Sequence, residues 1–408
     1  MFYRKSYLNQ IKSDLEKEKL LLLVGSRQVG KTTILNILEE ELVGNKLYIN
    51  LEDFFGKSFE TKNEFIKFLE FENGFDLYEE GYLFLDEVQY LKNPESLLKS
   101  IYDDKKIKTK IIATGSRFWG QKRLGSSLVG RGKILFIKTF SFLEFLELKG
   151  KKIDNLEGID FSFIEKYLEE YLIYGGYPAV ILAKTKEDKI RELKKIIDRF
   201  IEKDFMYFMK SNDLIDFKKV FQFLALNIGN IIKVGKITDT LSISKYKVQS
   251  FLKFLLDSYL VKDISPFYSD KSKEYNSQNE YLFLDLGLLN YIKGSFDNIL
   301  SDGKVTENFV GIQLLDKNRE NNVYYYNKKN GSEIDFILET INQKIIPIEV
   351  KSGNKTIKPK VFNLFEEIYL DKIEKFVTTT KSEIKTDIIK IKKIEFIPNY
   401  LIEKLLKI

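Results

Sequence analysis

The chain has 408 residues, 44% of them apolar and 14% aromatic, with 66 basic and 60 acidic side chains for a net charge of +6. That is material for about two to four packed domains, it excludes wholesale disorder, and the mild positive balance permits a nucleic-acid partner without demanding one. There is no Cys and no His, so disulfides, zinc fingers, Cys nucleophiles, Ser-His-Asp triads and His-based metal sites are excluded; any catalysis runs on carboxylates, Lys, Arg, hydroxyls, backbone N–H groups and a hard metal ion.

Residues 1–19 read as an amphipathic helix around Tyr7, Leu8, Ile11 and Leu15. The run Leu20-Leu21-Leu22-Leu23-Val24 suits a fully buried parallel strand. Further strands are expected at 47–51, 82–85, 110–113 and 134–137, with helices at 31–42, 61–72 and 94–102. Strands alternating with helices predict right-handed crossovers and a parallel sheet. From 161 to 229 the pattern is helical, broken by Gly175-Gly176-Tyr177-Pro178; residues 231–268 read as short helices and a wing. Strand patterns return at 323–326, 333–338, 345–350 and 375–379. The expected fold class is α/β, in four segments: a P-loop domain over 1–160, a helical linker or lid over 161–211, a winged helix-turn-helix over 212–268, and an α/β domain over 269–408. No apolar run approaches the ~18 residues of a membrane span, and the charged start is unlike a signal-peptide core, so a cytoplasmic location is the expectation.

The first motif is Gly25-Ser26-Arg27-Gln28-Val29-Gly30-Lys31-Thr32, followed by Thr33, which fits G-x-x-x-x-G-K-[ST] at every defined position. The glycines let backbone N–H groups turn inward around phosphate oxygens, and the following helix points its positive end at the same anion. Lys31 is placed to reach the β- and γ-phosphates of ATP and Thr32 to put its hydroxyl on Mg²⁺. The strand ending in Asp86-Glu87 supplies the other half: Asp86 to hold Mg²⁺ through water, Glu87 to orient and deprotonate the attacking water. Thr114 and Ser116, at the end of the fourth strand, are candidate γ-phosphate sensors, with an ordinary strand exit as the alternative. Only eight of the 66 basic residues are Arg, and three of these fall at 117, 123 and 131. Arg131 is the best candidate for an arginine supplied to an active site, in cis or in trans; a surface ion pair is its other reading.

With these residues in hand the chain resembles a family of bacterial and archaeal AAA-type P-loop ATPases that carry a C-terminal domain of unknown function. Arg4 with Tyr7, the phosphate loop, Tyr48-Ile49-Asn50-Leu51-Glu52-Asp53, Phe84-Leu85-Asp86-Glu87-Val88-Gln89, Thr114-Gly115-Ser116, Gly130-Arg131 and Phe140-Ser141-Phe142-Leu143-Glu144-Phe145-Leu146 carry the likeness. In the second half it continues through Tyr174-Gly175-Gly176-Tyr177-Pro178, Glu307-Asn308-Phe309-Val310, Glu333-Ile334-Asp335-Phe336 and Ile348-Glu349-Val350-Lys351. One departure is Arg117-Phe118-Trp119, where many relatives have a second small residue after the threonine-glycine-serine run. The resemblance implies ATP binding and slow hydrolysis, and names no physiological role.

Residues 233–262 hold six Lys and two Asp. Ser244 is placed as an N-cap, with Val248, Phe251, Leu252 and Leu255 as one apolar stripe and Lys245, Lys247 and Lys253 on more exposed faces. Ile264 to Phe267 is expected to close the wing. DNA is the expected partner of this segment, with docking of a protein as the alternative. In the last segment the order Glu307, Asp335, Glu349-Val350-Lys351 is that of PD-(D/E)xK nucleases. Asp335 and Glu349 would hold Mg²⁺, Lys351 would orient water, and Glu307 would complete the metal shell. The resemblance makes this domain similar to a divergent member of that superfamily, with a strand-end ion pair as the alternative for Glu349 and Lys351. Three functions therefore stand open: an ATP-driven switch of a DNA-binding, nuclease-like tail, in a chain that leaves room for a homo-oligomer; an ATP-regulated, Mg²⁺-dependent DNA nuclease of defence or mobile-element biology; and a nucleotide-gated protein-docking scaffold.

Overall fold

The computed structural model describes residues 3–54, 61–116, 131–151, 161–267, 278–297, 302–315, 322–327, 332–340, 342–353 and 359–405, with the single positions 59, 153 and 299. They divide into two compact units, residues 1–138 with 257–259 and residues 139–256 with 260–408. The first unit ends at Lys138 within the segment expected as the P-loop domain, and the second holds the rest of the chain apart from residues 257–259.

The first unit is built on five parallel strands: β1 (Leu20–Val24), β2 (Lys46–Asn50), β3 (Tyr82–Asp86), β4 (Lys110–Gly115) and β5 (Lys133–Phe136). All five expected strands are present. Their spatial order is β2-β3-β4-β1-β5, so β4 lies between the strand that leads into the phosphate loop and the strand that ends in acid. Every residue of β1 is buried, as an uninterrupted apolar run between two neighbouring strands requires. The core gathers Leu22, Leu85, Ile111, Phe65 and Leu98. The N-terminal helix Lys5–Lys17 buries Tyr7, Leu8, Ile11 and Leu15. It is tied to the end of β5 by Arg4, which lies over the Tyr7 ring at 4.4 Å and donates to the Lys138 carbonyl at 2.7 Å.

The second unit begins with the helices Phe142–Leu148, Phe161–Tyr174, Lys186–Phe200 and Leu214–Leu226. The helices Val234–Leu241 and Lys245–Asp257 follow, joined by a turn through left-handed Ser242, and then the antiparallel pair β6 (Val261–Ile264) and β7 (Glu280–Phe283). Of the stretch expected to close a wing, Ile264 pairs with Glu280 across β6 and β7, Pro266 bridges to Tyr325, and the Phe267 N–H donates to the Tyr325 carbonyl at 2.7 Å. Helices Leu286–Lys293 and Gly303–Leu314 lead to a mixed sheet of β8 (Asn322–Asn327), β9 (Glu333–Glu339), β10 (Ile345–Glu349), β11 (Phe376–Thr380), β12 (Lys385–Ile389) and β13 (Lys392–Pro398). Its order is β12-β13-β11-β10-β9-β8, and Phe362 and Phe365 of helix Lys360–Tyr369 pack with Ile334, Ile345 and Phe376 in its core. Among the described residues no helix is long and apolar enough to cross a membrane.

The Gly175-Gly176-Tyr177-Pro178 break is a joint within this unit. Gly175 ends helix Phe161–Tyr174 at φ +73°, and a Cβ there would lie 2.3 Å from the Asp285 carboxylate. Asp285 Oδ2 accepts the Gly176 N–H at 2.8 Å and Oδ1 caps the next helix by accepting the Leu288 N–H at 2.9 Å. Burial raises the Asp285 carboxyl to about 6, against the hydrogen bonds that favour its ionised form. The folded state therefore holds this proton more tightly than the unfolded chain. The contribution to stability is full below pH ~4, near the unfolded pKa, and is lost as pH rises through the folded value. Asp285→Asn cannot titrate and is expected to flatten the fall in melting temperature between pH 4 and 7. Asp285→Ala strands two buried N–H donors at about 1–3 kcal/mol each and should lower the melting temperature by several degrees at every pH. An unchanged slope in the asparagine variant would refute the assignment.

Candidate functional site

The phosphate loop runs from the end of β1 to the start of helix Lys31–Glu41. Gly25 passes so close to the chain after β5 that a Cβ would lie 2.1 Å from the Ile137 carbonyl oxygen; a side chain here would force the loop away from the sheet. Val29 is fully buried and Gln28 has φ 65°. Ser26 is buried, and Thr33 is half-buried in the first helical turn beside Thr32. Lys31 is 4% exposed and donates to the carbonyls of Gly25 and Ser26, both at 2.9 Å. Its ammonium is thereby held over its own loop. Arg27 reaches out of the loop to donate to the Tyr90 hydroxyl at 2.9 Å.

The pairing of β3 with β2 on one side and β4 on the other, at the end of the sheet where the phosphate loop lies, brings three hydroxyls onto one carboxylate. Asp86 Oδ2 accepts from Thr32 Oγ1 at 2.7 Å and from the Tyr48 hydroxyl at 2.9 Å, and Oδ1 accepts from Thr114 Oγ1. Burial and then the Asp86 charge push the Tyr48 phenol far above its ordinary value, so it stays a hydrogen-bond donor. Glu87 follows in the left-handed region, φ 59° and ψ 51°, a conformation that costs a non-glycine residue about 1–2 kcal/mol. Its N–H donates to Thr114 Oγ1 at 3.0 Å, and its carboxylate accepts from the Gln89 amide. Burial acts to raise the Glu87 carboxyl, but the charges of Lys31 and Arg27 and hydrogen bonds from Gln89 and Ser116 outweigh it and hold the group below its ordinary value. Glu87 is therefore ionised near neutrality and able to accept a proton.

Thr32, Lys31, Asp86, Glu87, Thr114 and Ser116 are thus brought together at the carboxyl ends of β1, β3 and β4. Tyr48 and Gln89 belong with them; the sequence marked both only as parts of the family likeness, with no role, although Gln89 lies two residues beyond Glu87 and Tyr48 on a strand pointing to the same end of the sheet. Arg131 does not join them. It pairs with Asp103 at 2.6 Å just before β5, whose register of Leu21 with Lys133 puts it at the opposite end of the sheet. The length of β5, about 13 Å at the usual strand rise, separates it from the phosphate loop of its own chain. Arg117 and Arg123 lie outside the described residues.

In the second unit Asp335 on β9 and Glu349 at the end of β10 lie on neighbouring antiparallel strands. Asp335 Oδ2 accepts the Val350 N–H at 2.7 Å. Lys351 Nζ lies 2.8 Å from Glu349 Oε1, and the Lys351 N–H donates to Thr379 Oγ1 at 2.8 Å, which seats this stretch against β11. Burial, and after it the charges of Glu349 and Glu307, raise the Asp335 carboxyl to about 8. Glu280 on β7, unforeseen from the sequence, is raised to about 8 by burial and then by Glu307 and Glu333. Glu307 is ion-paired with Lys304 at 2.8 Å one helical turn away. Among the described residues no group of three or more acids is arranged to hold a metal ion. Glu307, expected to complete a metal shell, has its carboxylate turned to Lys304. The pair Asp335 and Glu349 remains, and Glu349 Oε2 is buried with no hydrogen-bond partner.

The helix-turn-helix keeps its expected N-cap, with the Lys247 N–H donating to Ser244 Oγ at 3.4 Å, and buries Val248, Phe251, Leu252 and Leu255. Lys245 and Lys253 are exposed. Lys247 is not available as expected: its ammonium lies 2.6 Å from Asp213 and 2.9 Å from Asp216.

Residues 17–146 match the model of an AAA domain. With the parallel sheet and the loop at its carboxyl end, the N-terminal unit has the P-loop NTPase fold. Residues 165–298 and 302–399 match two domains of unknown function, DUF8612 and DUF4143. An uncharacterised protein of Methanocaldococcus jannaschii is 24% identical over 91% of this chain and 85% of its own length. One of Haemophilus influenzae is 27% identical over 83% and 84%. Among solved structures, the Walker-type ATPase PABY2304 of Pyrococcus abyssi aligns with 72% of this chain and 96% of its own, at 17% identity and a TM-score of 0.48.

Thr32 and Asp86 offer two hard oxygens 2.7 Å apart at the mouth of the loop, a fit to Mg²⁺, which takes one or two protein oxygens and completes its shell with water and phosphate. When bound with ATP, that ion would neutralise charge on the β- and γ-phosphate oxygens.

Proposed function

We propose that this chain is a Mg²⁺-dependent ATPase of the AAA type whose nucleotide turnover switches a C-terminal module that binds DNA and resembles PD-(D/E)xK nucleases. The observation that carries the ATPase reading is the joining of buried Lys31 and Asp86 with Thr32 and Glu87 in one cluster, with Glu87 held ionised beside the Lys31 charge. The loop N–H groups and the N-terminus of helix Lys31–Glu41 bind the phosphates, and Lys31 exchanges the Gly25 and Ser26 carbonyls for phosphate oxygens. Thr32 and Asp86 would hold the metal ion, whose positive charge would offset the charge on the phosphates. Glu87 takes a proton from water as the water oxygen attacks the γ-phosphorus; the bond to the β-phosphate oxygen breaks, giving ADP and phosphate. Thr114 keeps Asp86 and the Glu87 backbone in register.

The DNA reading rests on residues 233–262, read as a winged helix with Lys245 and Lys253 exposed. Loss of Lys247 to its two aspartates weakens it but leaves a cationic helix start. ATP turnover measured with and without duplex DNA tests the whole proposal. Stimulation by DNA, lost above ~0.3 M salt as phosphate contacts are screened, is the expected result. Turnover without any DNA response confines the proposal to the ATPase. No turnover in any condition ends it, and a DNA-independent protein partner would move residues 233–262 to the docking reading.

A second reading, a Mg²⁺-dependent nuclease regulated by ATP, is favoured by the Asp335–Glu349 pair, its unpartnered oxygen and the adjacent Lys351. Two carboxylates with a lysine beyond them can hold one metal ion and a water against a phosphodiester. Supercoiled plasmid with Mg²⁺ or Mn²⁺ should be nicked by the native chain and not by Asp335→Ala or Lys351→Ala. Intact plasmid with and without ATP would leave these residues a structural role.

A further inference from the structure

Gln89 is 1% exposed, on the short turn Val88–Tyr90 that follows the Asp86-Glu87 pair. Its amide nitrogen donates to the Glu87 carboxylate and, at 2.9 Å, to Ser116 Oγ; its amide oxygen accepts the Ser116 N–H at 3.2 Å. One planar amide therefore joins the carboxylate at the end of β3 to both the hydroxyl and the backbone at the end of β4. A primary amide is costly to bury unless its donors and acceptor are met, and an apolar residue of the same volume would fill this space equally well. What the amide adds is direction. Glu87 leaves β3 in a left-handed turn, which aims its backbone but leaves its side-chain torsions free.

We infer that Gln89 is a positioning residue for the hydrolytic step: it holds the Glu87 carboxylate against Ser116 and so sets where the proton acceptor stands relative to the terminal phosphate. This rests on the ATPase reading above. Gln89 does so without charge, which matters because the charged groups facing Glu87 are Lys31 at the head of its helix, Arg27 of the loop and the adjacent Asp86, with the neutral Tyr48 phenol beyond. A carboxylate in place of the amide would keep the shape, lose the donor and add like-charge repulsion.

The test compares the native chain with Gln89→Ala and Gln89→Glu in ADP affinity, in the pH profile of ATP turnover, and in melting temperature against pH without nucleotide or metal. ADP affinity should stay within about threefold in both variants, because the groups Gln89 touches, Glu87 and Ser116, face the γ-phosphate that ADP lacks. Turnover of Gln89→Ala should fall about 10–100-fold at unchanged KM, the usual scale for a misplaced reacting group. Gln89→Glu should fall similarly at neutral pH, and its acid limb should move to higher pH because two touching carboxylates share a proton. Its melting temperature should lie close to the native value at pH 5 and drop further below it at pH 8.

Native-like kcat in a folded Gln89→Ala, or a fall in kcat matched by an equal fall in ADP affinity, would overturn the inference. A Gln89→Glu deficit in melting temperature that does not change with pH would also overturn it, and that measurement stands even if the alanine variant fails to fold. Absence of turnover in the native chain is the separate failure of the ATPase reading, seen before any variant is compared.

Discussion

Replacing Glu87 by Gln is expected to lower ATP turnover about 10²–10⁴-fold, the range a positioned general base contributes, while leaving ATP affinity within about threefold of the native value. Gln keeps the length of the side chain and cannot take a proton from water. Glu87 sits beside Lys31 and Arg27, so neutralising it removes a negative charge that repels a polyanion and partly cancels those two cations; a modest gain in ATP affinity is in the expected direction. The measurement is a pair of experiments on one protein, equilibrium binding of ATP and steady-state phosphate release. Equal losses in both would mean that Glu87 supports the loop rather than the chemistry. Turnover of the native chain should also persist to pH values below the ordinary carboxylate-to-neutral range, because Lys31 and Arg27 hold the Glu87 carboxyl down against its burial.

Lys31→Ala should have the larger effect on binding. A charge-assisted hydrogen bond contributes about 1.5–3 kcal/mol, and Lys31 is placed to make more than one to the β- and γ-phosphates, so a loss of at least about 100-fold in ATP affinity is expected. ADP should lose less, since it lacks the γ-phosphate. The same change removes the first-ranked charge that opposes burial at Glu87, so the Glu87 carboxyl should move up and any residual turnover should depend on a higher pH. Isothermal titration with ATP and ADP checks the first claim. Comparable affinities of the two proteins for ATP would place the triphosphate somewhere other than this loop.

The resemblance motifs that carry no chemistry now have physical accounts. Arg4 and Tyr7 fasten the first helix to the end of β5, beside the carbonyl that Gly25 passes. The Gly175-Gly176 pair admits Asp285 between two helices. Arg131 satisfies its charge on Asp103, the surface ion pair that stood as its alternative.

What the residues by themselves determined is local. A contiguous apolar run between two paired strands can only be buried, and a glycine-bounded turn into a lysine-threonine helix start can only present inward N–H groups, so β1, the phosphate loop and the acidic end of β3 were all legible in chain order. The periodicity of 245–257 likewise located its buried stripe. What tertiary structure alone decided is who meets whom across the chain. Asp86 takes its hydroxyls from Thr32, Tyr48 and Thr114, at sequence separations of 54, 38 and 28, and that meeting exists because the sheet lays β2 and β4 on either side of β3, with the phosphate loop at the same end. The capture of Lys247 by Asp213 and Asp216, the turning of Glu307 toward Lys304, and the arrival of Glu280 beside the second carboxylate group are of the same kind. Periodicity specifies which face of an element is apolar, but a charge or hydroxyl on its polar side is directed by whichever element the fold lays beside it, and no local pattern carries that information.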